Sequence, residues 1–290
     1  DKEMNSVIDT NEDRGNSNII SFTPSSLKSS INKESKIKKE FILNINDFEI
    51  KHELGRGGFG IVYLVIRKSD HQEFAVKIQM GDEAFDYIGQ VNVIGIFKHR
   101  AILKLFGYCL TDFRGNENKA IVMENVPNGN LYKFIDRERK GEIINELDDT
   151  QKLIILYGIA SGMSYSINYG VIHNDLKPEN ILITNELLPK ISDFDCAKVQ
   201  NDDNEHNCNT QTFNLTGEYV GTPIYMAPEV IEDEQNNSEK SDVYAFSIIA
   251  YELITSLVPY QRKMFRNRFS LFNKIVKGLR PLIPNSFPHP

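Results

Sequence analysis

Apolar and polar residues alternate through Phe48-Glu49-Ile50-Lys51-His52-Glu53-Leu54, the period-two pattern of a half-buried strand. Ile61–Ile66 and Glu73–Ile78 are two further runs rich in β-branched and aromatic residues. Gly55 to Gly60 separates the first pair, and Lys68-Ser69-Asp70-His71-Gln72 supplies turn chemistry before the third. Short turns between such runs predict an antiparallel meander. Asp82 to Lys98 reads as a helix, and short strands are expected at Leu103–Leu110 and Ala120–Glu124.

After Asn130 the pattern becomes helical. Asp148-Asp149-Thr150 offers an N-terminal cap ahead of Leu153, Ile154, Leu156, Ile159, Ala160 and Met163, which recur at helical spacing. Ser241–Thr255 is apolar almost all round, the pattern of a helix buried in a larger body. The predicted class is α+β: a small antiparallel β-rich lobe with one helix over about 47–124, a hinge at 124–129, and a mainly helical lobe over 130–290. Residues 1–46 differ in texture. They are rich in Asn, Ser, Lys and Glu with little apolar periodicity, so a disordered or loosely attached arm is expected there.

Composition narrows the function classes. The formal charge of −7 argues against a general nucleic-acid binder. No apolar stretch approaches the roughly 20 residues that span a bilayer, and the N-terminus lacks a signal-peptide pattern. Cys109, Cys196 and Cys208 are too few and scattered for a disulfide framework or zinc knuckle, so a reducing, cytoplasmic setting is expected. The chain begins at Asp1 rather than Met, and a fragment or processed product is expected.

Three segments carry chemistry. Gly55-Arg56-Gly57-Gly58-Phe59-Gly60-Ile61-Val62 is a glycine-rich turn between two strands, a context that suits backbone hydrogen bonding to a phosphate chain and lacks the helix of a dinucleotide fingerprint. Lys77 stands inside the otherwise apolar Ala75-Val76-Lys77-Ile78. A lysine there needs an anionic partner. The third is His173-Asn174-Asp175-Leu176-Lys177-Pro178-Glu179-Asn180, followed by Ile191-Ser192-Asp193-Phe194.

These segments resemble the eukaryotic protein kinases, whose pattern is a glycine loop, a strand lysine, H-R-D-L-x-x-x-N and D-F-G. Gly221-Thr222-Pro223-Ile224-Tyr225-Met226-Ala227-Pro228-Glu229 and Ser241-Asp242-Val243-Tyr244-Ala245-Phe246-Ser247 extend the likeness, which covers about Asp47 to Pro290. His99–Cys109 and Pro127–Leu131 resemble the tyrosine-kinase-like group, and Lys177 with Thr222 is the serine/threonine-type pairing. The resemblance implies a two-lobed kinase fold, ATP and Mg2+, and protein substrates with serine or threonine acceptors. It assigns catalysis to Asp175, Lys177, Asn180, Lys77 and Thr222, and metal binding to Asn180 and Asp193. It assigns ATP binding to Gly55, Gly57, Gly60, Val62, Ala75, Lys77, Met123, Glu124, Val126, Asn130 and Leu182. The other readings are a pseudokinase serving as a nucleotide-binding or scaffold module, and an interaction protein acting through its N-terminal arm.

Four positions depart from the family pattern. Gln90 stands where the glutamate that pairs the strand lysine is expected, with Asp86 one turn earlier as a substitute. Asn174 replaces the arginine that receives an activation-loop phosphate, and Glu218 occupies a position often phosphorylated. Phosphorylation is therefore not expected to be a strict requirement, and Thr210, Thr212, Thr216 and Tyr219 are equivalent candidates for it. Asp195 replaces the glycine of D-F-G, so a stiffer loop, a perturbed Asp193 or added cation binding is expected. Finally, the chain stops soon after Arg280, before the helices that supply a partner for Glu229 in the family, and an incomplete lower lobe is expected.

Overall fold

The computed structural model describes residues 41–57, 60–79, 95, 97–144, 147–199, 223–260 and 267–284. Five strands form one antiparallel sheet: β1 (Phe48–Gly57), β2 (Gly60–Arg67), β3 (Glu73–Ile78), β4 (Leu105–Cys109) and β5 (Ala120–Glu124). Their order is β1-β2-β3-β5-β4. The meander predicted for the first three strands is present, with Val62 opposite Lys77 and Ala75 opposite Met123. Alternation buries Phe48, Val65, Phe74, Val76 and Val122 on one face. Edge-to-face contacts of Phe74 with Phe48 and Phe106, at 5.7 and 4.9 Å, fill the centre of that layer.

The first strand begins at Phe48, as the pattern indicated, but ordered chain precedes it. Residues 1–40 of the expected arm lie outside the described residues, but residues 41–46 pack on the lobe. The Leu43 N–H donates to the Tyr108 carbonyl at 2.8 Å, and Ile45 is buried. Of the helix expected over 82–98, residues 82–94 and 96 lie outside the described residues. Phe97 and Lys98 are not helical, and Phe97 packs instead into the lower-lobe core.

Past β5 the chain becomes helical, through α1 (Leu131–Arg139), α2 (Asp149–Asn168), α3 (Pro228–Glu232), α4 (Glu239–Thr255) and α5 (Arg268–Val276). The expected cap is present: the Asp148 carboxylate accepts the Gln151 N–H at 2.7 Å. Two two-stranded pieces complete the lobe, with β6 (Val171–Ile172) pairing β9 (Lys198–Val199) and β7 (Ile181–Ile183) pairing β8 (Pro189–Ile191). Helix α2 lies against β8, and a Cβ at Gly162 would stand 2.7 Å from the Ile191 side chain. Glycine is needed there for close approach rather than for backbone freedom.

Ile155, Ile159, Ile181, Ile191, Ile249 and Leu253 are fully buried and bind α2, α4, β7 and β8 into one core. Helix α4 is less enclosed than its composition predicted. Val243 and Ile254 are exposed, because one side of the helix has no cover among the described residues. Among those residues no helix is long and apolar enough to cross a membrane.

Candidate active site

Between the sheet and the helical lobe lies a cleft of about 540 Å³, within the size range of small-molecule sites. The β1–β2 hairpin forms its roof, with Gly57 paired to Gly60. At Gly60 φ is 138°, and a Cβ would collide with the Ile78 carbonyl, so no other residue fits. The hairpin tip, Gly58 and Phe59, lies outside the described residues. Every residue assigned to ATP from the resemblance lines this cleft: Gly55, Gly57, Gly60, Val62, Ala75 and Lys77 from the sheet, and Met123, Glu124, Val126, Asn130 and Leu182 from the crossing strand and the lower lobe.

Several lining residues escaped sequence reasoning. Leu54, Leu105 and Ile121 add apolar wall, yet each reads in sequence as an ordinary strand residue. The Glu124 carboxylate anchors the crossing point. Its Oε1 accepts the Lys104 N–H at 2.6 Å and the Lys190 ammonium at 2.9 Å, tying both lobes to one residue.

Lys77 projects from β3 toward the lower lobe. Its ammonium meets Asp193 Oδ1 at 2.6 Å and also pairs with Asp195. All three side chains are at least three-quarters buried, so this is a charge-assisted cluster in a poorly solvated place. Burial disfavours the Lys77 ammonium, but the Asp193 and Asp195 charges outweigh it and raise its pKa. Burial also pushes Asp193 upward, yet Lys77 holds its carboxyl below the usual range. Asp195 moves the other way, raised by burial and by the neighbouring Asp193 charge. The expected perturbation of one carboxylate by the other thus falls on Asp195.

The Asp195 backbone does not take the left-handed angles that favour glycine. Asp195 sits in the right-handed 3-10 turn Phe194–Cys196, whereas Asp193 takes the left-handed conformation at φ 61°, ψ 60°. The substituted glycine position makes no demand that only glycine meets in this conformation.

The loop Val171–Asn180 is held from beneath. Asp242 on α4 accepts the backbone N–H groups of His173 and Asn174 at 2.8 and 3.0 Å. The His173 ring accepts the Asp175 N–H at Nδ1 (3.3 Å) and faces the Ser192 carbonyl at Nε2 (3.0 Å). A carbonyl only accepts, so Nε2 carries the proton. Asn174 is left-handed, with φ 64°, a region asparagine tolerates. Its Nδ2 donates to the Cys196 carbonyl at 2.9 Å, while its Oδ1 is buried with no hydrogen-bond partner among the described residues.

Asp175 Oδ2 accepts the Lys177 ammonium at 2.6 Å and Asn180 Nδ2 at 3.0 Å. Asn180 Nδ2 also donates to the Asp175 carbonyl at 2.8 Å. With Nδ2 committed to Asp175, the Asn180 Oδ1 faces elsewhere and, like Asp193, belongs to a cleft-lining residue. An all-oxygen donor pair of amide and carboxylate fits Mg2+, which takes hard ligands. Lys77, Asp175, Lys177, Asn180 and Asp193 are therefore brought together. Thr222, Gln90, Asp86, Glu218 and the candidate phosphorylation sites lie outside the described residues.

The protein kinase domain family matches residues 48–285. Cysteine-rich receptor-like protein kinase 36 of Arabidopsis thaliana is 36% identical over 220 residues, 74% of this chain and 31% of that protein. G-type lectin S-receptor-like serine/threonine-protein kinase SD1-1 of the same plant is 35% identical over 224 residues, 75% of this chain and 26% of that protein. Cysteine-rich receptor-like protein kinase 42 is 30% identical over 299 residues, 98% of this chain and 42% of that protein. The chain thus spans less than half the length of these curated relatives. With the family match covering most of its length and the cleft assembled as described, the chain belongs to the protein kinase domain family.

Proposed function

We propose that the chain transfers the γ-phosphate of ATP to serine or threonine hydroxyls of protein substrates, with Mg2+ as the metal. Lys77, Asn180 and Asp193 line one cleft, and Asp175, bonded to Asn180 and Lys177, stands beside it; that convergence supports the proposal. Phosphoryl transfer asks for positioning and charge neutralisation more than for covalent chemistry, and these residues supply both.

Val62, Ala75 and Leu182 enclose the adenine, with Met123 behind it and Asn130 on the same wall. The Glu124 carbonyl and Val126 N–H meet its edge, and the backbone of Gly55, Gly57 and Gly60 covers the phosphates. Lys77 orients the phosphate oxygens. Asp175 accepts the hydroxyl proton as the substrate oxygen bonds to the γ-phosphorus, while the bond from that phosphorus to the bridging oxygen breaks and ADP departs. Lys177, beside Asp175, offsets charge on the transferred group, and Thr222 completes the acceptor side. Asn180 and Asp193 would hold Mg2+, which when bound neutralises charge on the phosphates. A cytoplasmic setting, rich in ATP and reducing, suits this activity and the buried thiols of Cys109 and Cys196.

The test is transfer of label from γ-labelled ATP to a generic basic protein, with Asp175→Asn as control. The parent is expected to incorporate label at least about 100-fold faster, the lower range of general-base contributions. Equal incorporation overturns the proposal. A second reading is favoured by the double grip of Asp193 and Asp195 on Lys77: a nucleotide-binding module without transfer, marked by Mg-ATP binding and no incorporation.

A further inference from the structure

We infer that Asp195 is a positioning residue for nucleotide: it holds the Lys77 ammonium in the cleft, the task that the pattern of related kinases gives to a carboxylate where this chain has Gln90. The inference rests on the kinase reading and deepens it.

The two side chains are only 12% and 13% exposed and form an ion pair across 118 residues of chain. An ion pair that is poorly solvated fixes geometry far better than a surface pair, because water does not screen it. Its surroundings strengthen the case. Lys77 also binds Asp193 at 2.6 Å, and Asp193 is the carboxylate proposed to serve the metal. Once Asp193 turns to that task, Asp195 still restrains Lys77. Burying two carboxylates side by side is unfavourable unless a cation compensates both, and Lys77 stands between them. Nor does the aspartate strain its backbone, since Asp195 sits in a right-handed turn while Asp193 takes the left-handed one. Substitution at the former glycine position therefore adds a carboxylate next to the strand lysine without a conformational cost in this state.

The experiment measures Mg-ATP affinity of the 290-residue chain by displacement of a fluorescent ATP analogue, with thermal unfolding recorded on each variant. Asp195→Asn, and separately Asp195→Gly, are expected to weaken Mg-ATP binding about tenfold, the value of one charge-assisted bond. Adding Gln90→Glu to Asp195→Gly is expected to restore affinity to within about threefold of the parent, because the family pattern puts its lysine-pairing carboxylate at that position. A merely structural role for Asp195 would not be rescued this way. Parent-like affinity in both single variants overturns the inference and leaves the kinase reading standing. Weakened binding that Gln90→Glu does not restore also overturns it. Failure of the folded parent itself to bind Mg-ATP overturns the kinase reading, and this inference with it.

Discussion

The Asp242 carboxylate reaches across 69 residues of chain to accept the His173 backbone N–H at 2.8 Å, and its other oxygen accepts Asn174 N–H at 3.0 Å. The buried face of α4 thereby grips the peptide groups immediately before Asp175. Both carboxylate oxygens are needed, since the loop presents two donors. Asp242→Asn puts an amide N–H against one of them. The expected outcome is a fall in kcat of about 100-fold, the penalty of misplacing a reacting group by about 1 Å. Mg-ATP affinity should stay within about threefold, because the adenine wall is untouched. Steady-state kinetics beside nucleotide titration checks the split.

Asn174 yields two predictions. Its carboxamide is turned to the Cys196 carbonyl at 2.9 Å and offers no cationic group to a phosphate. Phosphatase treatment should therefore leave transfer activity within about twofold of the untreated protein, since no charge-assisted contact is lost. Complete loss of activity would contradict this. The left-handed backbone at φ 64° also separates two variants that lose the same hydrogen bond. Asn174→Ala should be less stable than Asn174→Gly by about 1 kcal/mol, the steric cost of a Cβ there, measured by chemical denaturation.

Asp112 controls the turn between β4 and β5. Its carboxylate accepts the N–H groups of Arg114 and Asn116 and the amides of Asn116 and Asn118, at 2.8 to 3.0 Å. Burial alone would raise its pKa, but these donors outweigh it and hold the group down to about 2. A carboxylate depressed on folding stabilises above its unfolded pKa and loses that contribution as pH falls through the folded value. Asp112→Asn should thus cost about 2 kcal/mol at pH 6, with the difference shrinking between pH 4 and pH 2. Denaturant titrations of parent and variant across that range check it.

Glu252 on α4 is almost fully enclosed, and it accepts the Tyr225 hydroxyl and the Arg139 guanidinium, the latter at 3.0 Å. The three join α1, α4 and the turn after residue 222. Burial raises the Glu252 carboxyl despite both partners, so removing a partner is costly. Arg139→Met should lose about 3 kcal/mol, as expected when one half of a buried pair is left behind. Arg139→Met with Glu252→Leu should recover part of that loss, since no uncompensated charge remains. Urea unfolding of the single and double variants decides.

Local signals read well wherever the interaction is local. Glu73–Ile78 and Ala120–Glu124 form strands with the bounds their composition indicated, since apolar runs and β-branching act within a few residues. The Asp148 cap is equally local. Legibility fell where the cause lies elsewhere in the chain. Residues 41–46 pack beside β4 because Tyr108 offers a carbonyl to Leu43, and nothing in Phe41–Asn46 announces that. Leu54, Leu105 and Ile121 line the cleft only because the two lobes face each other there.

By itself the sequence determined which chemical groups exist and their order: the glycine loop, Lys77, the run from His173 to Asn180, Asp193, and the departures at Gln90, Asn174 and Asp195. It could also show that Asp195 is not glycine, but not that this carboxylate pairs with Lys77 from a right-handed turn. Tertiary structure decided which carboxylate meets Lys77 and which residue carries the left-handed angle. The reason is physical. Residue type fixes charge and hydrogen-bonding capacity, whereas pairing depends on distance, and Lys77 and Asp195 become neighbours only when the sheet closes over the lower lobe.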